Sequence, residues 1–105
     1  MSSSEIEVKS ALATAVKVSN DALSVELNDG RTIVVPLAWY PRLLHASAGE
    51  RRAWRLIGAG TGIHWPTIDE DISVANLLAG QSSTESQTSF KKWLAGRKRI
   101  PRAKR

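Results

Sequence analysis

The chain has 105 residues, of which 42% are hydrophobic and 24% charged, and it carries a net charge of +5 with no cysteine. This is room for one domain and too apolar a composition for a wholly disordered chain. The missing cysteines exclude disulfides, thiolate catalysis and thiolate-held metal, and they favour a cytoplasmic location over secretion.

The N-terminus, MSSSEIEVKS, has no apolar core of signal-peptide length. Nor is there an apolar run of roughly 20 residues that could cross a membrane. The charge is unevenly spread. Residues 91–105 hold eight basic side chains and no acid, whereas residues 1–90 hold seven basic and ten acidic ones. The protein is thus a mildly acidic body followed by a strongly basic tail.

In chain order, Met1 to Ser4 are expected to fray and Ile6 to Ala15 to form a short helix or an extended lead-in, with the helix favoured because Ala and Leu dominate there. Residues 1–14 count as a lead-in, 15–80 as the compact domain, and 81–105 as linker, short helix and tail. Ala15 to Ser19 alternates apolar and polar residues at strand period, and Asn20-Asp21 turns the chain. Leu23, Val25 and Leu27 then alternate with Ser24, Glu26 and Asn28 as a half-buried strand. Asp29-Gly30 tolerates the positive φ angles of a tight hairpin, and the β-branched run from Thr32 to Val35 returns as a third strand.

Pro41 suits the first turn of a short helix over Leu43, Leu44 and Ala46, broken at Ser47-Ala48-Gly49. Glu50 to Arg55 opens as a helical turn. Trp54 to Gly58 and Gly62 to Trp65 are predicted as a second hairpin, stopped by Pro66. Ser73 is a suitable N-cap for a helix from Val74 to Ala79, which Gly80 ends. Gln81 to Ser89 has linker composition. Thr88 to Ala95 is predicted as one or two helical turns that Gly96 stops, followed by a disordered basic C-terminal tail. The expected fold is therefore a small single α+β domain: an antiparallel β-meander, a second hairpin and short helices.

Three groups of residues invite a functional reading. Gly58-Ala59-Gly60-Thr61-Gly62 resembles a phosphate-cradling loop. It lacks both the Lys-Ser/Thr ending of a P-loop and a following helix, so it reads as a turn between strands. His64 with Asp69, Glu70 and Asp71 could hold a metal or do acid–base work. Equally, the acids could line a solvated surface or favour a helix start, because neighbouring carboxylates in an extended segment point to different sides. Together with Trp39, Tyr40 and Trp65 they are candidates for a partner-contacting surface.

The basic tail carries the clearest partner signal. Lys91, Lys92, Arg97, Lys98, Arg99, Arg102, Lys104 and Arg105 could neutralise phosphates, and Trp93 could stack on a base. An acidic protein, including the acid triplet of a second copy, is the other class of partner. A long amphipathic helix or acylation site for membrane attachment is lacking.

Three segments resemble the bacterial family catalogued as domain of unknown function 2442 over about residues 15–80. They are Leu23 to Arg31, Val35-Pro36-Leu37 with Trp39 to Leu43, and Gly62 to Pro66 through Asp69 to Ser73 and Leu77-Leu78. The resemblance implies a compact α+β fold in a bacterial, cytoplasmic protein. Some relatives carry a helix-turn-helix domain, and others are encoded in arrangements resembling toxin–antitoxin pairs. It supplies no catalytic residue. The expectation is a non-enzymatic regulatory or accessory protein, with no cofactor, that binds a protein partner or itself through the body and nucleic acid through the tail. The alternatives are a small-ligand or metal site at His64 and a purely structural interaction module.

Overall fold

The structure is a computed structural model that describes residues 11–99, with side chains placed through Arg97. The predicted fraying at Met1 to Ser4 and disorder of the last residues fall outside those bounds, as do Arg102, Lys104 and Arg105.

Among the described residues, two antiparallel three-stranded sheets and four α-helices make up an α+β fold. The first sheet contains β1 (Ala13–Val18), β2 (Ala22–Leu27) and β3 (Thr32–Pro36), side by side in chain order. Of the two expectations for Ile6 to Ala15, the helix is incorrect where it can be compared and the extended alternative holds, because Ala13 and Ala15 pair with β2. Residues of good intrinsic helix propensity are overridden here by the ladder. In β2 the alternation is fully expressed, with Leu23, Val25 and Leu27 buried and flanked by polar positions. The β2–β3 turn closes through Leu27 N–H to the Arg31 carbonyl at 2.8 Å. Gly30 takes a φ of 95° in that turn, as the Asp-Gly signal requires.

A single 3₁₀ turn over Leu37–Trp39 leads into α1 (Pro41–Leu44). Ser47 begins a helix instead of only ending one. It caps α2 (Ala48–Arg52) in a capping box, accepting from Glu50 N–H at 3.1 Å, while Glu50 accepts from Ser47 N–H at 2.8 Å.

The second sheet contains β4 (Arg55–Ile57), β5 (Gly62–Trp65) and β6 (Glu70–Ser73). The predicted hairpin is present as β4–β5, and β6 is an addition. Its inward positions carry Glu70 and Ile72, so a carboxylate interrupts the apolar alternation that marks a strand. The glycine segment is the β4–β5 turn. Gly60 has a φ of 101°, and a Cβ there would lie 2.9 Å from the Ala13 carbonyl, so the turn can close against β1 only with glycine.

Ser73 caps α3 (Val74–Leu78), accepting from Asn76 N–H at 3.0 Å. Gly80 N–H bonds the Leu77 carbonyl and Gln81 N–H the Asn76 carbonyl, a Schellman ending built on Gly80 at φ 73°. The core between the elements is apolar, with Leu23, Val25, Leu37, Leu43, Ile63, Trp65 and Ile68 wholly enclosed.

The C-terminal part departs most from expectation. The final helix, α4, spans Gln87–Arg99, so Gly96 does not stop it. An exposed mid-helix glycine costs only about 1 kcal/mol relative to alanine, and side-chain contacts on both sides of it offset that cost. The expected linker before it is also fastened down. Ser83 N–H bonds the Trp39 carbonyl at 3.1 Å, and the Tyr40 hydroxyl donates to the Gln81 carbonyl at 3.3 Å.

Candidate functional site

Arg42, at the second position of α1, is the centre from which the C-terminal half is organised. Its guanidinium reaches three parts of the chain. Nε donates to both Glu85 carboxylate oxygens at 3.0 and 3.1 Å, and Nη2 donates to one of them at 2.6 Å. Nη1 donates to the carbonyls of Ile68 and Asp69 at 2.9 and 3.3 Å. The same guanidinium lies over the Trp93 ring, 5.2 Å from its centroid. Both members of the Arg42–Glu85 pair are largely shielded, with side chains 14% and 13% exposed. Arg42 therefore holds the Glu85 carboxyl below the usual carboxylate range.

Further along α4, Arg97 repeats the pattern. It donates to the Glu50 oxygens at 2.8 and 2.9 Å, and its guanidinium lies 4.7 Å from the Trp93 centroid. The hydrogen bond from Arg97 is the largest cause of the lowered Glu50 pKa. Phe90 completes the docked face. It packs 5.8 Å from Trp93 and 5.2 Å from the His45 ring. Phe90, Trp93, Leu94 and Arg97 recur three and four residues apart, which places them on one side of the helix. Lys91, Lys92, Ala95 and Gly96 are exposed.

The basic cluster read from sequence is thus divided in two. Trp93 and Arg97 are anchors, with the Trp93 ring half-buried against the Arg42 and Arg97 guanidiniums. Lys91 and Lys92 are exposed, and Lys98 and Arg99 occupy the last two helical positions.

The acid triplet is divided as well. Asp69 sits in the β5–β6 turn with a φ of 53°. Glu70 pairs with Trp65 across the sheet, and Asp71 pairs with His64. Strand alternation sends Glu70 toward the core face beside Trp65 and Ile72, and sends His64 and Asp71 to the outer face. His64 Nδ1 meets the Asp71 carboxylate there. The four groups do not converge, and among the described residues no three His, Asp or Glu side chains are placed to hold a metal ion. That geometry corrects the reading of His64, Asp69, Glu70 and Asp71 as one metal site.

The aromatic candidates separate too. Trp65 is fully enclosed and donates from Nε1 to the Arg51 carbonyl at 3.1 Å. Tyr40 is 3% exposed. Both belong to the core, not to a contact face, while Trp39 is half-buried.

Glu70 borders a polar cleft of about 240 Å³, shared with Tyr40, Arg42, Asn76 and the segment from Gln81 to Glu85. Burial, reinforced by the nearby Glu85 charge and opposed by Arg42, pushes its carboxyl up to about 7. No hydrogen bond to the Glu70 carboxyl is present among the described residues.

The residues that sequence reasoning missed are Arg42, Glu50 and Glu85. One signal was available: Glu85 is the lone acid between Asp71 and the C-terminus. A single carboxylate in a Ser/Thr-rich stretch before a basic helix marks a candidate ion-pair partner.

These features define a small α+β domain of two three-stranded antiparallel sheets, closed by a docked basic helix. The chain belongs to the family described as Protein of unknown function (DUF2442), whose profile matches residues 13–83. Two solved structures are similar. One is a crystal structure of a protein of unknown function from Rhodospirillum rubrum ATCC 11170. It has 30% identity and a TM-score of 0.62, covering 73% of this chain and 95% of that one. The other is a solution NMR structure of an uncharacterized protein from Chromobacterium violaceum. It has 17% identity and a TM-score of 0.64, covering 93% and 86%, and bears on fold alone. No curated protein matches the chain.

Proposed function

We propose that this chain is a non-enzymatic accessory or regulatory protein of the cytoplasm that attaches to nucleic acid through the exposed side of α4. The observation that carries the proposal is the division of labour within α4. Trp93 and Arg97 tie the helix to Arg42 and Glu50, which leaves Lys91 and Lys92 facing solvent. Lysines held on a fixed helix neutralise phosphates without first having to order the chain. An antitoxin-like role adds a protein partner for the body. Exposed Asp71 and half-buried His64, side by side on the outer face of β5 and β6, offer a surface for it.

The test is binding of a 20-base-pair duplex across a salt series. It compares the full chain with its Lys91→Gln/Lys92→Gln/Lys98→Gln/Arg99→Gln variant. The full chain binds with an affinity that falls steeply with salt, and the variant loses most of that affinity. Equal binding by both, or none by either, refutes the proposal. A truncation at Gln87 is a poorer control, because it also removes the Trp93 and Arg97 anchors.

A second reading is a small-ligand site in the cleft beside Tyr40, favoured by the unpaired, half-buried Glu70 carboxyl. It requires chemical-shift changes at Glu70, Asn76 and Gln81 during titration with a small-molecule library. A library that moves none of them rules it out.

A further inference from the structure

We infer that the open edge of β1 is a docking strand for a protein partner. The occupant is an extended acidic segment, with apolar residues at alternate positions, that adds to the first sheet alongside β1. This inference concerns a different surface from the nucleic-acid reading and stands apart from it.

Among the described residues, β1 is an outer strand with β2 as its one neighbour, and no backbone hydrogen bond joins residues 13–18 to anything else. Such an edge leaves alternate N–H and carbonyl groups pointing outward, a template for another strand. One end of the edge is closed. The register shifts between Ala13 and Ala15, and the Gly60 turn lies so close that a Cβ there would stand 2.9 Å from the Ala13 carbonyl. Residues 15–18 stay open. The opposite edge of the sheet, β3, is blunted by Pro36, which has no N–H to offer.

A groove of about 550 Å³ runs beside residues 16–19, bounded on its far side by Arg51, Arg52 and Trp54. Its floor is apolar: Val16 is buried, and Val18 and Trp54 are half-buried. The Trp54 indole N–H has no acceptor among the described residues, unlike that of Trp65, which donates to the Arg51 carbonyl. A tryptophan with an apolar body against the protein and an unmet donor is suited to an interface.

The rim is cationic. Lys17 and Arg52 are exposed, and the Arg51 guanidinium donates to the Leu43 and Leu44 carbonyls and to Asn20. Among the described residues none of these three cations has a carboxylate partner. Asp21, just past β1, is engaged by the Ser19 hydroxyl at 2.9 Å. Three uncompensated charges around an apolar floor select an acidic occupant. A second copy of β1 is a poor match, because it brings the same cations to the groove. Strand alternation sets the occupant's pattern. Residues opposite Val16 and Val18 share their face and meet the floor, and the residue opposite Lys17 lies on the other face, where a carboxylate complements it.

The experiment is a titration of the full chain with a labelled ten-residue peptide of alternating glutamate and valine, followed by anisotropy and by NMR. Controls are a peptide of alternating lysine and valine, and two forms of the acidic peptide N-methylated at every valine or at every glutamate. The expected result is saturable binding of the acidic peptide, with shifts and slowed amide exchange at residues 15–18, a shift at the Trp54 indole, and no change in β3. The lysine peptide does not bind, and at least one N-methylated form loses binding. Lys17→Glu/Arg52→Glu weakens the acidic peptide about tenfold. Failure of the acidic peptide to bind, equal binding of the lysine peptide, full affinity of both N-methylated forms, or shifts centred on another surface overturns the inference. Binding that appears only in Ile6→Glu/Val8→Glu also overturns it, because the chain's own residues then compete for the groove.

Discussion

Glu70 occupies a core-facing position on the edge strand β6, and that placement governs its titration. Its carboxyl is raised from an ordinary 4.5 to about 7, chiefly by burial. The folded chain then holds a proton that the unfolded chain has already released between those values. Stability consequently falls as pH rises from about 4.5 to 7 and is flat above. Glu70→Gln, which is always neutral, should stabilise the protein at pH 8 by on the order of 2 kcal/mol and change little near pH 4.5. Urea unfolding at the two pH values tests this, and an equal gain at both would contradict it. Ala59 offers a second residue-scale check. It sits in the β4–β5 turn with φ 57° and ψ 28°, in the left-handed region that a Cβ disfavours. Ala59→Gly should therefore be neutral or stabilising by up to ~1 kcal/mol, where most substitutions destabilise. A clear loss of stability would mean that the Ala59 methyl group makes a packing contribution.

Among the elements, α4 is held by few but specific contacts. Trp93→Ala removes the ring over which both guanidiniums lie. It should cost roughly 2–3 kcal/mol of docking and leave the two sheets folded. Hydrogen exchange would then accelerate across residues 87–99 but not in β2; uniform acceleration would contradict a separately docked helix. Acid should loosen the same element. The carboxyls of Glu50 and Glu85 are lowered by Arg97 and Arg42, so their contribution is present above the ordinary value of 4.5. It is lost as pH falls through their lower folded values. Exchange in α4 should rise as pH falls through those lowered values, ahead of global unfolding. The sequence disclosed elements whose causes are local. The β2–β3 hairpin follows from alternation and Asp-Gly, and α3 from Ser73 and Gly80. It concealed α4's docking because Arg42 and Glu85 are 43 residues apart and Glu50 and Arg97 are 47 apart. No local pattern records such pairs. It concealed β6 because Glu70 stands where an apolar residue would have completed the alternation.

At the scale of the whole molecule, the contacts that join an acidic body to a basic C-terminal segment include two arginine–glutamate pairs, Trp93 and the Phe90–His45 ring contact. The division between anchoring and presenting residues was not legible in the sequence, where Trp93, Arg97, Lys91 and Lys92 form one undifferentiated cluster. Helical period alone would have grouped Phe90, Trp93, Leu94 and Arg97, but only the fold supplies Arg42, His45 and Glu50 opposite them. The acid triplet was similarly one motif in sequence and becomes three environments once β6 forms. The proposed role of the docked α4 is to present Lys91 and Lys92 to phosphates. The most direct measurement is the slope of log affinity against log salt for duplex DNA, in the full chain and in Lys91→Gln/Lys92→Gln, with helicity monitored by circular dichroism. The expected slope is about two units shallower in the variant, close to 0.9 per lysine removed, at unchanged helicity. An unchanged slope, or a loss of binding that appears only when α4 unfolds, would contradict it.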